Sequence, residues 1–225
     1  MGQTMRQEHD SIGTVDVPTA ALWGAQTQRS LNNFAIGDQR IPAELIHALT
    51  QIKQCCAVVN GRHGLLTAEQ VALIEQAAEA IQTGRHDDQF PLSVWQTGSG
   101  TQTNMNLNEV ISNLAARTSG EELGSHQPVH PNDHVNRSQS TNDAFPAAIH
   151  VAAADGICHR LLPELQRLSQ TFAAKAEAWG SIVKIGRTHL QDAVPLTLGQ
   201  EASAWRDQIN TASVRINASL KEVLL

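Results

Sequence analysis

Apolar residues recur along most of this chain at steps of three and four, the period of an α-helix with one buried face. From Pro42 the stripe Leu45, Leu49, Ile52, Cys56 and Val59 predicts an amphipathic helix, with proline at its start and Gly61 past its end. Thr67 and Gln70 have the spacing of a capping box, and Val71, Ile74, Ala78 and Ile81 follow as a second stripe that stops at Gly84. A third helix is predicted from about Thr103 to Thr118, with Leu107, Ile111 and Leu114 on one face and Gly120 closing it. Residues 1–40 show few helical periods and read as extended or irregular, and Arg85 to Gly100 reads as loop.

The stretch SHQPVHPNDHVNRSQSTND, polar and broken by two prolines, cannot be one helix and marks the expected domain boundary. An Ala-rich helical pattern runs from Asn142 to Trp179, with Pro146 tolerable near its first turn and a kink or break expected at Pro163. A short apolar run, SIVKIG, leads into GRTHLQDAVPLTLGQE, where Thr197 and Gln200 again have capping-box spacing. Beyond them Leu198, Ala202, Trp205, Ile209, Ala212, Ile216, Leu220 and Val223 alternate steps of four and three, a coiled-coil-like seam suited to a helix bundle. That helix has no Gly, Asn or Pro terminator while its apolar residues stay in phase, which predicts a portion of a longer protein.

Composition narrows the function. The 225 residues are 41% hydrophobic and 17% charged, enough for a sizeable core, and the net charge of -6 argues against a general nucleic-acid binder. Tyrosine is absent and aromatics total 4%, so a base-stacking surface is not expected. No stretch approaches the roughly 18 uninterrupted apolar residues of a membrane span. Cys55, Cys56 and Cys158 form neither a paired framework nor a CxxC motif, which points to a reduced, cytoplasmic setting.

Four polar segments carry the candidate chemistry: TGSGTQTNMN, VHPND, SQSTND and GRTHLQD. Those around Ser99 to Asn104 and Ser140 to Asn142 fall where helices begin, so hydroxyls, amides and free backbone N–H groups can converge on an anion. Capping alone accounts for one such segment. Asn104, Asn106 and Asn108 go further, because asparagine is a poor helix-interior residue and a buried amide must find partners; two segments of this kind favour a polar pocket. His126, His130 and His134 recur every fourth position, but Pro128 and Pro131 defeat the helix that would make them metal ligands, so no metal is expected. His189, between Thr188 and Leu190, is a candidate general acid or base, or else a hydrogen-bonded surface residue.

GSGTQTNMNLNEVISN, VHPNDHVNRSQSTND and GRTHLQDAVPLTLGQE, in that order, resemble the signature regions of the fumarase/aspartase superfamily, and DSIGTVDVP and LWGAQTQRSLNNF extend the likeness over nearly the whole chain. WQTGSGTQTNMN and WGAQTQRS are spelled as in class II fumarate hydratases, whereas SQSTND, with Thr141 where many fumarases have serine, also occurs in aspartases. The resemblance implies a mainly α fold: an N-terminal helical domain over 1–139, then the first part of a long central helix bundle over 140–225, incomplete at its C-terminal end. It implies reversible hydration of fumarate to (S)-malate with no metal or organic cofactor, or ammonia addition as the runner-up. By family match, Ser99, Gly100, Thr101, Asn104, Ser140, Thr141 and Asn142 hold the substrate carboxylates. Thr188 and His189 serve the catalytic centre, with His189 handling the proton of the water. His130, Pro131, Asn132 and Asp133 match a secondary anion site. The family's Gly-Ser-Ser loop, which takes the carbon proton, is nowhere in the 225 residues, and its active sites draw on several subunits of a homotetramer. The chain is therefore expected to be inactive alone, and a non-catalytic oligomerisation module is the rival from a different class. The expected partners are a small dicarboxylate and further copies of the chain, with no nucleic acid and no membrane.

Overall fold

A computed structural model describes residues 4–223. It opens with an antiparallel hairpin, β1 (Met5–Asp10) and β2 (Gly13–Pro18), extended backbone as expected there, whereas LWGAQTQRSLNNF, expected to be extended or irregular, contains a helix. Then come helices α1 (Ala25–Asn33), α2 (Ala43–Arg62), α3 (Ala68–Gln82), α4 (Thr101–Ser119), α5 (Thr141–Gly156) and α6 (Leu162–Ala178). A second hairpin, β3 (Val183–Thr188) and β4 (Gln191–Thr197), leads into α7 (Leu198–Val223). The described chain is thus mainly helical and forms two compact units, one ending at Ala152 and one beginning at Ala153.

The first unit is built around α4, which is buried on all sides from Thr103 to Ala116. Leu107, Val110 and Ile111 meet Ile46 and Leu49 of α2, Ile74 and Ile81 of α3, and Ala144 and Ala148 of α5 in one core. Each such large side chain contributes about 1.5–3 kcal/mol by leaving water. The capping box at Thr67 and Gln70 is formed in both directions, and Gly120, at φ 76, closes α4 in the left-handed conformation. Two local expectations are corrected. Gly61 lies inside α2, because the turn to a left-handed backbone comes at Gly64 (φ 70). The buried face of α2 is Ile46, Leu49, Thr50, Lys53, Ala57 and Asn60, one position round from the predicted stripe, and Val59 is left exposed.

That helix α1 forms at all depends on a buried carboxylate from α4. Gly24, which begins α1, has no side chain with which to cap it. Glu109 instead accepts from the N–H groups of Gly24 (2.9 Å), Gln26 (2.9 Å) and Thr27 (3.2 Å) and from the Thr27 hydroxyl (2.5 Å). Glu8 of β1 takes the N–H of Ala25 at 2.9 Å. A Cβ on residue 24 would lie 2.7 Å from Glu8 and 2.9 Å from Glu109, so only glycine admits both acids. Burial pushes the Glu109 carboxyl up, against the four donated bonds, which favour the anion. Arg6 completes the corner, donating to Glu8 and to the carbonyls of Pro18, Ala21 and Trp23.

In the second unit α6 and α7 run antiparallel, with Phe172 edge-on to Trp205 (ring centroids 5.6 Å apart) and Ser169 donating to Asn210 at 2.7 Å. The α7 seam faces this contact: Ala202 and Leu220 are buried, while Ile209, Ala212 and Ile216 are half-buried. The disturbance expected at Pro163 takes the form of a π-helical stretch, Ile157–Leu161, just ahead of it. The wider turn absorbs a ring that would collide with a carbonyl one turn back.

Glu109→Gln, which puts an NH2 group among converging N–H donors, is expected to destabilise the chain by about 2–4 kcal/mol in urea unfolding, with the exposed control Glu79→Gln within about 0.5 kcal/mol.

Candidate functional site: two helix starts behind a buried lysine

Helix α4 starts at Thr101 behind Gly100, whose backbone is left-handed (φ 73). Neither Thr101 nor Thr103 caps it. The cap comes from outside the helix, where Gln96 Oε1 accepts from the N–H (3.0 Å) and hydroxyl (2.9 Å) of Thr103. This frees the Ser99 and Thr101 hydroxyls, which bond one another at 3.0 Å and are exposed. Phe145 of α5 packs against Gly100: a Cβ there would sit 2.5 Å from the ring. Only a glycine lets the starts of α4 and α5 approach this closely.

Of the asparagines that follow, Asn106 and Asn113 turn away from the two helix starts. Asn106 donates to the Gln89 carbonyl (3.1 Å); Asn113 donates to the Leu22 carbonyl (2.9 Å) and accepts from Gly124 N (2.7 Å). Ser112 donates to the Val129 carbonyl at 2.5 Å. These side chains fasten loops to a buried helix. Asn104 alone joins the candidate segments, donating to Thr141 Oγ1 at 3.1 Å and to Asn136 Oδ1 at 3.1 Å. At the start of α5, Ser140 takes the N–H of Asn142 on its hydroxyl (3.3 Å), so it caps as well as lines, and Asn142 is exposed.

Behind this wall lies a residue that pattern reading missed. Lys53 of α2 is fully buried, and its amine donates to Asn136 Oδ1 (3.2 Å) and Gln139 Oε1 (3.1 Å). Burial lowers its pKa to about 7, with Cys56 opposing. Two turns on, Asn60 donates to the Arg137 carbonyl at 2.9 Å, so α2 holds the approach to α5. The available signal was that Lys53 falls in phase with Ile46, Leu49 and Ala57.

His130, Pro131, Asn132 and Asp133 lie where the polar segment makes one π-type turn, Pro131–Val135. His130 Nδ1 accepts from the N–H groups of Asn132 and Asp133, both at 3.1 Å, which leaves the ring's Nε2 as the donor. A cleft of about 330 Å³ opens beside it, lined also by His9, His126 and Glu109. The His126 and His130 rings meet edge to face, 4.9 Å between centroids, and burial chiefly holds His126 below its ordinary range. Among the described residues no group of three or more His, Cys, Asp or Glu is placed to hold a metal ion.

Thr188 and His189 belong to the second unit. They sit at the tip of the β3–β4 hairpin, where Thr188 pairs with Gln191 and the two residues between have φ 51 (His189) and φ 64 (Leu190). Left-handed backbone at both positions is the type I′ turn that right-twisted hairpins prefer, built here without glycine or asparagine at a cost of about 1–2 kcal/mol per residue. Leu190 is 89% exposed, so contacts do not offset that strain within this chain.

Two outcomes follow from this geometry. Gly100→Ala, strained in backbone and blocked by Phe145, is expected to cost at least about 2 kcal/mol in unfolding free energy, while Gly98→Ala, with open space beside it, costs under about 1. Lys53 binds its proton more weakly folded than unfolded, so stability is expected to rise as pH climbs from about 7 toward 10.5 and to lose that gain as pH falls back to 7. Denaturation between about pH 7 and 8.5 should show a slope of up to about 1.4 kcal/mol per pH unit that Lys53→Met removes.

Comparisons with known proteins give the family and the fold. A family model described as Lyase matches residues 13–225. A fumarate hydratase class II of Parasynechococcus marenigrum (strain WH8102) is 73% identical over 224 residues, covering 100% of this chain and 48% of that protein. One from Neisseria meningitidis serogroup A is 56% identical over 218 residues, covering 97% of this chain and 47% of that protein. The crystal structure of recombinant class II fumarase from Schistosoma mansoni matches with a TM-score of 0.91 and 39% identity, covering 98% of this chain and 46% of that one. The chain spans about half the length of the curated relatives it matches. With a family match over nearly all of its residues, and with the helical fold in place, the chain belongs to the lyase family.

Proposed function

We propose that this chain carries carboxylate-binding segments of a class II fumarate hydratase, which adds water reversibly to fumarate to give (S)-malate. The observation that carries the reading is the junction of the α4 and α5 starts, joined by Asn104 and Thr141, in a chain whose relatives bear that name. In this reading residues 1–139 form an N-terminal domain and 140–225 the opening of the central bundle. The chemical difficulty is removal of a weakly acidic proton beside a carboxylate, which piles negative charge onto that carboxylate. Donors fixed beforehand around it lower the barrier most. Ser99, Thr101, Asn104, Ser140, Thr141 and Asn142, with the backbone at Gly100, are the donors of this chain. His189, with Thr188 beside it at the tip of the β3–β4 hairpin, passes the proton of the incoming or leaving water. His130 to Asp133 serve a secondary anion site.

The chain contains no Gly-Ser-Ser segment to take the carbon proton, so by itself it binds without turnover. Exposed Trp205, Val214, Leu168 and Val194 in the second unit support assembly with further copies, as a homotetramer in the longer enzyme, and the free cysteines support a cytoplasmic setting. Among the described residues no helix is long and apolar enough to cross a membrane.

Loss of the ultraviolet absorbance of fumarate, followed with the longest available coding sequence, is expected in water without ammonia. Activity with ammonia alone overturns the reading in favour of an aspartate ammonia-lyase, the alternative favoured by the SQSTND spelling. In the active enzyme His189→Asn is expected to lower turnover by about 100-fold or more, and His130→Asn by less than about threefold. In sedimentation, the 225-residue chain is expected to self-associate; clean monomer would count against the tetramer.

A further inference from the structure

The Lys53 amine takes no part in the scheme above, yet it stands at one end of a hydrogen-bonded chain whose other end is a candidate substrate-binding hydroxyl. We propose that Lys53 is a positioning residue: through Asn136 and Asn104 it sets the direction in which the Thr141 hydroxyl donates, so that its hydrogen is left for an anion. The proposal rests on reading the two helix starts as an anion pocket.

The argument is one of donor and acceptor count. A lysine ammonium donates and cannot accept, so both amides beside it turn their oxygens to it. Asn136 does so at 3.2 Å and Gln139 at 3.1 Å. With its oxygen so held, Asn136 directs its NH2 at the Gln139 carbonyl (3.4 Å) and offers the same Oδ1 to Asn104 Nδ2 at 3.1 Å. Asn104 thereby has its NH2 side toward Thr141 as well, and Thr141 Oγ1 accepts at 3.1 Å. A hydroxyl whose oxygen is filled from behind keeps its own proton for what lies in front. Gln139 is locked in the same sense, since its NH2 donates to the Val135 carbonyl at 2.8 Å.

The opposite sense is chemically available. Were Asn104 turned over, its oxygen would accept the Thr141 proton, and Thr141 would show an anion only lone pairs. That rotation would give Asn104 Oδ1, which is buried with no partner, a donor, but would leave the NH2 buried without an acceptor in its place. An orphaned buried acceptor is costly. It is tolerated here because the turn would set the oxygens of Asn104 and Asn136 face to face for as long as Lys53 holds Asn136. The observed sense of Asn104 is therefore set by the Asn136 oxygen that Lys53 holds toward it.

The test uses the 225-residue chain, isotope-labelled for NMR, with fumarate as the anion. In Lys53→Met the Asn104 side-chain amide is expected to shift and to exchange with water about tenfold faster, while amides of α3 are unchanged. The fumarate Kd should rise about tenfold, and by less than about twofold when Lys53→Met is added to Thr141→Val, because the two act through one bond. Asn136→Leu, which cuts the relay with Lys53 in place, should reproduce both results and decides the matter if Lys53→Met fails to fold. An unchanged Asn104 amide, or equal losses of affinity with and without Thr141, overturns the proposal. Failure of the unaltered chain to bind fumarate overturns the pocket reading instead, and the Asn104 amide still reports on the relay.

Discussion

Burial of polar side chains on the central helix is the constraint from which the first unit takes its form. Helix α4 has core on every side, yet it carries Asn104, Asn106, Asn108, Glu109, Ser112 and Asn113 along its length. A polar group removed from water is tolerable where it finds a partner, and the partners here are mainly the backbones of neighbouring segments. Residues 22, 24, 26, 27, 89, 124 and 129 are each tied to α4 in this way. Apolar packing sets the helices beside one another, and the amides and the carboxylate then decide how the chain between them runs. The start of α1, the cleft beside His130 and the approach to α5 inherit their shapes from that second set of bonds.

The same constraint explains what could and could not be read beforehand. Helix α3, the end of α4 and the α7 seam were legible because their signals are local: a capping box, a left-handed glycine, a repeat of apolar steps. Helix α1 was not, since its cap comes from Glu109, 85 residues beyond Gly24. On α2 the apolar stripe misled by one position, because a lysine and an asparagine were assigned to the solvent side when their partners lay in residues 136–139. The hairpins were not marked by apolar alternation for a related reason: the more buried positions are Arg6, Glu8 and Asp10 on β1 and Lys184 and Gly186 on β3, so burial alternates while hydrophobicity does not.

For the candidate site the lesson is more specific. Placing Ser99, Thr101, Asn104, Thr141 and Asn142 at helix starts was within reach of pattern and spelling together. The division of labour among the asparagines was not, because a side chain at a given spacing does not disclose whether it turns to a loop or to a pocket. Asn106 and Asn113 serve loops, Asn104 serves the junction, and the sequence of the helix alone assigns them alike. Family likeness implies the roles; the hydrogen bonds separate Asn104, which joins the two helix starts, from the asparagines that fasten loops.

The hairpin that carries His189 has a base and a tip of different character. At its base, Thr197 and Gln200 cap α7 reciprocally (2.9 and 3.1 Å), so the strand ends are anchored to a long helix. The tip has no turn residue suited to its backbone, and Gly186 interrupts the pairing midway, where the register shifts between Ile185 and Arg187. Such a ribbon closes from the anchored end and opens from the free one. The imidazole therefore sits on the last part of the ribbon to form, and anything that seats Leu190 would also still the histidine next to it.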